Sequence, residues 1–207
     1  VTGQPAGAAG TSDDRRRRDT RDRLVRVATG LFRRRGVTGA GVAEICARAG
    51  VTKGVFAHHF PGGKEELAVT VIARNAADVR LSFLTPGPGR PGELSGAVGD
   101  FFGSYAALLR AKGTDFGCPV AAGVVDASEP SPAVRRAARE AFAGWREAVR
   151  ALPGAPADVP AIDELVIAAL EGAILIARAE QDPAALDRVG QALARLLRAR
   201  SAPGLTR

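Results

Sequence analysis

Residues able to do chemistry concentrate in one short stretch. From Val42 to Phe60 the chain reads VAEICARAGVTKGVFAHHF, which gathers Thr52, Lys53, His58 and His59. His58 and His59 are the only histidines. Neighbours on a helix point about 100° apart, so this pair cannot chelate one metal as an i, i+4 pair does. No cysteine stands at ligand spacing, and the expectation is no metal and no cofactor. Thr52 and Lys53 suggest a different chemistry. A threonine hydroxyl caps a helix, and the freed first turn can then offer Lys53 and backbone N–H groups to a phosphate.

Two helices are needed to hold those groups. The first, Val42–Ala49, stops at Gly50, and the second begins at Thr52. Glycine supplies the left-handed backbone that a tight turn between crossing helices requires. Cys46, four residues before Gly50, is small enough to let the second helix approach. Ile45, Ala49, Val51 and Phe56 form the small core. A pair of this kind lays its second helix in the DNA major groove. The alternative reading is an ordinary helical hairpin.

A third helix precedes the pair. Leu24, Val27, Ala28, Leu31 and Phe32 make one apolar stripe, with Thr20 as its expected N-cap and Gly36 as its stop. Arg21, Arg23, Arg26, Arg33, Arg34 and Arg35 surround the stripe. Residues 1–67 hold 13 basic and 7 acidic residues, so most of the formal net charge of +7 lies in the first third of the 207-residue chain. A basic unit joined to a near-neutral one suits a polyanion-binding head on a neutral body. A solvated basic surface would carry the same charge.

Everything regular has helical periodicity, so the expected class is all-α. The expected organisation is a disordered basic arm at 1–19, a helix-turn-helix DNA-binding domain at 20–62, a ligand-binding and dimerisation domain at 63–200, and a flexible tail at 201–207. A helix near 63–83 leads out of the head, and the Pro/Gly-rich run 85–92 interrupts the chain. Further helices are expected at 94–111, 118–127, 132–151, 161–180 and 183–199. No apolar run reaches the roughly 20 residues of a membrane span. The N-terminal stretch lacks the apolar core of a secretory signal. Cys46 and Cys118 make no disulfide framework. The expected location is the cytoplasm.

The 161–180 helix is apolar over too wide an arc for one core face. Leu165, Ala169, Leu170, Ala173 and Ile174, with Leu193 and Leu196 of 183–199, are assigned to a two-fold four-helix interface of a homodimer. A central helix in a monomeric bundle would look similar. Phe101, Phe102, Tyr105, Phe116, Phe142 and Trp145 are first of all core residues. With Cys118 they are also the candidates for lining a small-molecule pocket. Cys118, before Pro119 at a helix start, is where a thiol pKa can fall, although a small buried hydrophobe is the alternative.

The stretch from Arg21 to about Val71 resembles the N-terminal domain of the TetR family of regulators. The carrying residues are Leu24, Ala28, Leu31-Phe32 and Gly36, then Val42-Ala43-Glu44-Ile45, Ala49-Gly50-Val51-Thr52-Lys53-Gly54, His58-His59-Phe60 and Lys64-Glu65-Glu66-Leu67. Phe60-Pro61-Gly62-Gly63 running into that last segment, with Gly117-Cys118-Pro119-Val120, is similar to the lincomycin-resistance-regulator (LmrA-like) subgroup. The resemblance implies a helical dimer that binds a double-stranded operator through its heads and a lipophilic small-molecule effector in its body. By position, it implies that Thr52, Lys53 and Gly54 hold phosphate. Val55 and His58 would face the groove, His59 would touch the DNA backbone, and Lys64 would reach a phosphate.

Three departures thin that readout. Gly39-Ala40-Gly41 stands where the family usually has a Thr or Ser cap, Ala57 replaces a common aromatic, and Val55 replaces a frequent polar residue. Val55 could touch a thymine methyl. The Arg15–Arg18 run could add phosphate or minor-groove contacts, with a solubilising tail as the alternative. No nucleophile–base pair, Walker loop or dinucleotide glycine motif stands at a workable position, so no enzyme is expected. The sequence therefore reads as a ligand-released repressor. An activator or nucleoid-type binder on the same fold, or a helical ligand-binding protein whose head no longer binds DNA, are the other readings.

Overall fold

The structure is a computed structural model that describes residues 12–84, 93–126, 131–156 and 159–201. The described residues form helices and no strands. The helices are α1 (Ser12–Arg35), α2 (Val42–Ala49), α3 (Lys53–His59), α4 (Gly63–Leu84), α5 (Leu94–Lys112), α6 (Pro119–Val125), α7 (Pro132–Ala151), α8 (Ile162–Glu180) and α9 (Ala184–Ser201). The Pro/Gly-rich run 85–92, the first eleven residues of the expected arm, and residues 202–207 of the expected tail lie outside the described residues.

Helix α1 starts earlier than expected. It does not begin at Thr20 but runs on from Ser12, so the Arg15–Arg18 run is helical, not a disordered arm. Arginine is a good helix former, and Asp14 in the first turn suits the positive helix end. Thr20 then sits mid-helix, and its hydroxyl donates to the Arg16 carbonyl at 2.9 Å. That is the usual outlet for a threonine inside a helix.

α1 ends where the sequence says it should, at Gly36, whose φ of 72° only glycine adopts freely. α4 is shared between the two ends of the molecule. It packs on α1, where Thr70 and Arg74 meet Arg21 and Asp22, and on α6 and α7. One hydrophobic cluster runs without a break from Leu24 and Phe32 through Leu67 and Ile72 to Trp145 and Leu186. Trp145 is almost fully buried, and its indole N–H donates to the Ala76 carbonyl of α4 at 3.0 Å. α5 and α9 cross closely at Gly190, where a Cβ would stand 2.4 Å from the Cβ of Phe102. Burying this surface is the main stabilising term, at roughly 25 cal/mol per Å² of apolar area.

Candidate nucleic-acid interface and effector cavity

The turn between α2 and α3 is made by local chemistry. Gly50 takes φ 62°, ψ 41°, and closes α2 by donating to the Ala47 carbonyl at 3.2 Å. The Val51 N–H reaches the Cys46 carbonyl at 3.0 Å, the doubled bond of a Schellman stop. Thr52 is extended and caps α3, its hydroxyl oxygen accepting from the Val55 N–H at 3.3 Å. Phe56 faces inward and Phe60 is fully buried, their rings 5.7 Å apart. The guanidinium of Arg21 lies 5.0 Å from the centre of the Phe60 ring, which ties α1 to the end of α3.

With Phe56 turned inward, the outer side of α3 is left to water. Thr52, Lys53, Gly54, Val55 and His58 are all exposed, and His59 is partly buried. A Cβ on Gly54 would meet nothing nearer than the Thr52 hydroxyl at 3.8 Å, so packing within the chain does not require glycine there. Partial burial pushes the His59 pKa down, helped by the charges of His58, Arg21 and Arg17. A positive field therefore surrounds this end of α3. The absent cap is also visible: Gly41 precedes α2 with no side-chain bond to it.

Lys64 does not reach outward as expected. Its ammonium donates to the carbonyls of Val37 (3.0 Å), Thr38 (3.4 Å) and Ala40 (3.3 Å). It is half-buried and fastens the turn between α1 and α2 instead of reaching outward. The carbonyls at the end of a helix and its following turn need donors, and a lysine on the neighbouring helix supplies three.

The expected pocket residues do not assemble as a group. Trp145 and Phe142 meet edge to face at 5.3 Å in the core. Phe102 is fully buried against Gly190, and Phe101 packs 6.4 Å from Tyr105. Phe116 stacks under Arg33 and Arg34, at 4.9 and 5.4 Å. Only Cys118 of that set lines the cavity between α1, α6 and α8, which has a volume of about 270 Å³. Phe32, Arg33, Ala121, Glu171, Ile174 and Arg178 complete its main walls. Burial pushes the Cys118 thiol pKa up, the opposite of a thiol activated at a helix start, and the nearby Glu171 acts in the same direction. Burial also raises the pKa of Glu171, against smaller opposing effects of Cys118 and Arg33. The sequence held one clue to Glu171: it sits in phase with Ile167, Ile174 and Arg178 along the inward stripe of α8.

The proposed dimer set divides. Leu170, Ala173, Ile174 and Leu193 are buried within the protomer, so they serve its own core. Ala169 is half-buried, while Leu165 and Leu196 are exposed. Leu175 and Ile176, which were not assigned to the interface, are exposed as well. One inward stripe cannot use the whole apolar arc of α8, and the remainder faces out.

Two family models match this chain. Bacterial regulatory proteins of the tetR family match residues 24–71, and the C-terminal domain of LmrA/YxaF-like transcriptional regulators matches residues 95–192. An HTH-type transcriptional regulator of Mycobacterium tuberculosis is 32% identical over 189 residues, covering 86% of this chain and 93% of its own. The HTH-type transcriptional regulator LmrA of Bacillus subtilis is 26% identical over 191 residues, covering 87% and 97%. A crystal structure of a TetR transcriptional regulator from Chloroflexus aurantiacus superimposes with a TM-score of 0.74 at 28% identity, covering 90% of this chain and 98% of that one.

Proposed function

Because this chain belongs to the TetR family of bacterial transcriptional regulators, we propose that it is an operator-binding repressor released by a small lipophilic molecule bound in its body. The observation that carries the reading is the exposed outer side of α3, capped by Thr52 and held by buried Phe56 and Phe60. Lys53 and the freed N–H groups of the capped turn supply phosphate contacts, and Val55 and His58 supply base contacts. The thin polar set favours modest direct readout, with phosphate contacts giving much of the affinity.

Dimerisation through Leu165, Leu175, Ile176 and Leu196 would cover exposed apolar surface on α8 and α9. A two-fold dimer spaces two copies of α3 about one DNA turn apart, roughly 34 Å. The effector acts by preferring one head spacing to the other, and only its difference in affinity for the two states weakens operator binding. The α1–α6–α8 cavity suits this role because Phe32 and Arg33 of the head's own first helix form part of its wall.

The test is an anisotropy titration against DNA from upstream of the chain's own gene, with nonspecific competitor present. Nanomolar binding that resists competitor is the expected result. Binding abolished by competitor, followed by failure of selection from random DNA to yield a site, would remove the operator reading.

A further inference from the structure

The hydrogen bonds around the α1–α6–α8 cavity are unevenly filled. Its cations are already engaged by protein oxygens. Arg33 donates to the Tyr105 hydroxyl at 3.0 Å and the Gly117 carbonyl at 3.1 Å, and its guanidinium lies over Phe116. Arg178 donates to the Arg34 carbonyl at 3.0 Å. The carboxyl of Glu171 is only half filled: the Cys118 thiol hydrogen-bonds to the group, but its buried Oε1 has no hydrogen-bond partner. A buried acceptor without a donor costs free energy unless something supplies one. Apart from the exposed Asp126, the remaining wall is apolar around Phe32, Ala121 and Ile174.

We infer that this cavity takes a neutral, largely apolar molecule that donates one hydroxyl or N–H hydrogen bond to Glu171. The inference rests on the effector reading above and adds the chemical class of the effector. A cationic molecule would lie against the guanidinium groups of Arg33 and Arg178. An anionic one would meet Glu171 and Asp126, which both line the cavity, and would shed its water into apolar surroundings. A neutral donor avoids both costs and satisfies Oε1. The raised pKa of Glu171 is compatible, because a protonated carboxyl keeps a carbonyl oxygen to accept the bond.

A matched series of naphthalenes tests this by calorimetry on the full chain without DNA. The probes are 1-naphthol, 1-methoxynaphthalene, 1-naphthylmethylammonium and 1-naphthoate. The expected result is that 1-naphthol binds about tenfold more tightly than 1-methoxynaphthalene, and more tightly than either charged probe. Glu171→Leu removes the preference for 1-naphthol over its methyl ether, whereas Glu171→Gln, similar in shape and still an acceptor, keeps it. Ala121→Phe, which fills the cavity, abolishes binding of both. Equal binding of the two neutral probes, tightest binding of a charged one, no binding by any, or a preference surviving in Glu171→Leu would each overturn the inference. So would unchanged binding to Ala121→Phe. A separate operator titration keeps the two readings apart: 1-naphthol that binds with the expected preference yet leaves DNA affinity unchanged refutes effector release, not the chemistry of the cavity.

Discussion

In the head, Thr52, Lys53, Gly54, Val55 and His58 come from seven consecutive positions, and each is placed by its neighbours along the chain. The cavity, by contrast, draws Phe32 from α1, Cys118 and Ala121 from the start of α6, and Glu171 and Ile174 from α8. The interface is a property of one turn and one short helix. The cavity is a property of how distant helices cross. Substitutions in the first region should therefore change what the molecule touches, and those in the second should change whether and how it packs.

The strongest attempt to break that contrast is Trp145→Ala. It should cost about 3–5 kcal/mol in denaturant unfolding, because it leaves a large void and the Ala76 carbonyl loses its indole donor. A cost under about 1 kcal/mol would mean the body is packed more loosely than its burial indicates.

The two lysines sharpen the comparison within the head itself. Lys64→Ala removes the donor to three turn carbonyls and should destabilise the fold by about 1.5–3 kcal/mol. It should leave the salt dependence of DNA binding nearly unchanged. Lys53→Ala should do the reverse, with stability within about 0.5 kcal/mol of the parent and a salt slope shallower by about 1.8, because the dimer loses one phosphate contact from each head. If the two variants behave alike, the distinction between an outward and an inward lysine fails.

Glu171 gives a pH signature in the body. Its folded pKa lies above its unfolded value, so the stability linked to its proton is present below the unfolded pKa of about 4.3 and is lost as pH rises through the folded value. Glu171→Gln cannot ionise. It should be more stable than the parent at pH 7, with an advantage that shrinks toward pH 4, as followed by thermal melts across that range. The smallest effect belongs to His59. Its pKa is held down in the free protein by burial and by the charges of His58, Arg21 and Arg17, and a phosphate would raise it. Operator affinity should therefore rise slightly as pH falls from 8 to 6, and His59→Gln should flatten that slope.

The same division explains what could be read in advance. Helix order, the Gly36 and Gly50 stops and the Thr52 cap follow from propensity and short-range bonding, and all were visible in the residue string. Thr20 misled because a capping residue and a mid-helix threonine look alike until the conformation of the preceding residues is known. Lys64 misled because a lysine at the start of a helix can turn toward solvent or toward an unseen turn nearby. Phe102 and Trp145 have the right character for a pocket, but only the approach of α9 at Gly190 and of α4 at Ala76 determines that they are enclosed. Leu170 and Leu165 are equally apolar, and nothing in their types separates a core leucine from an outward one.

The continuity of α1 has a mechanical consequence. At 24 residues it is a rod of about 36 Å, buried from its middle at Leu24 and Val25 through Ala28 to Leu31 and Phe32. One half carries Arg17 and Arg21 beside the end of α3, and the other carries Phe32 and Arg33 into the cavity wall. A rod pivoted at its centre moves its tips in opposite directions. A tilt of about 5°, started by a molecule wedged against Phe32, would carry Arg17, roughly 10 Å from that centre, through about 0.9 Å, given the helical rise. The whole working range of a hydrogen bond spans about 0.5 Å. A displacement too small to register as a change of fold would thus be about twice what a phosphate contact tolerates.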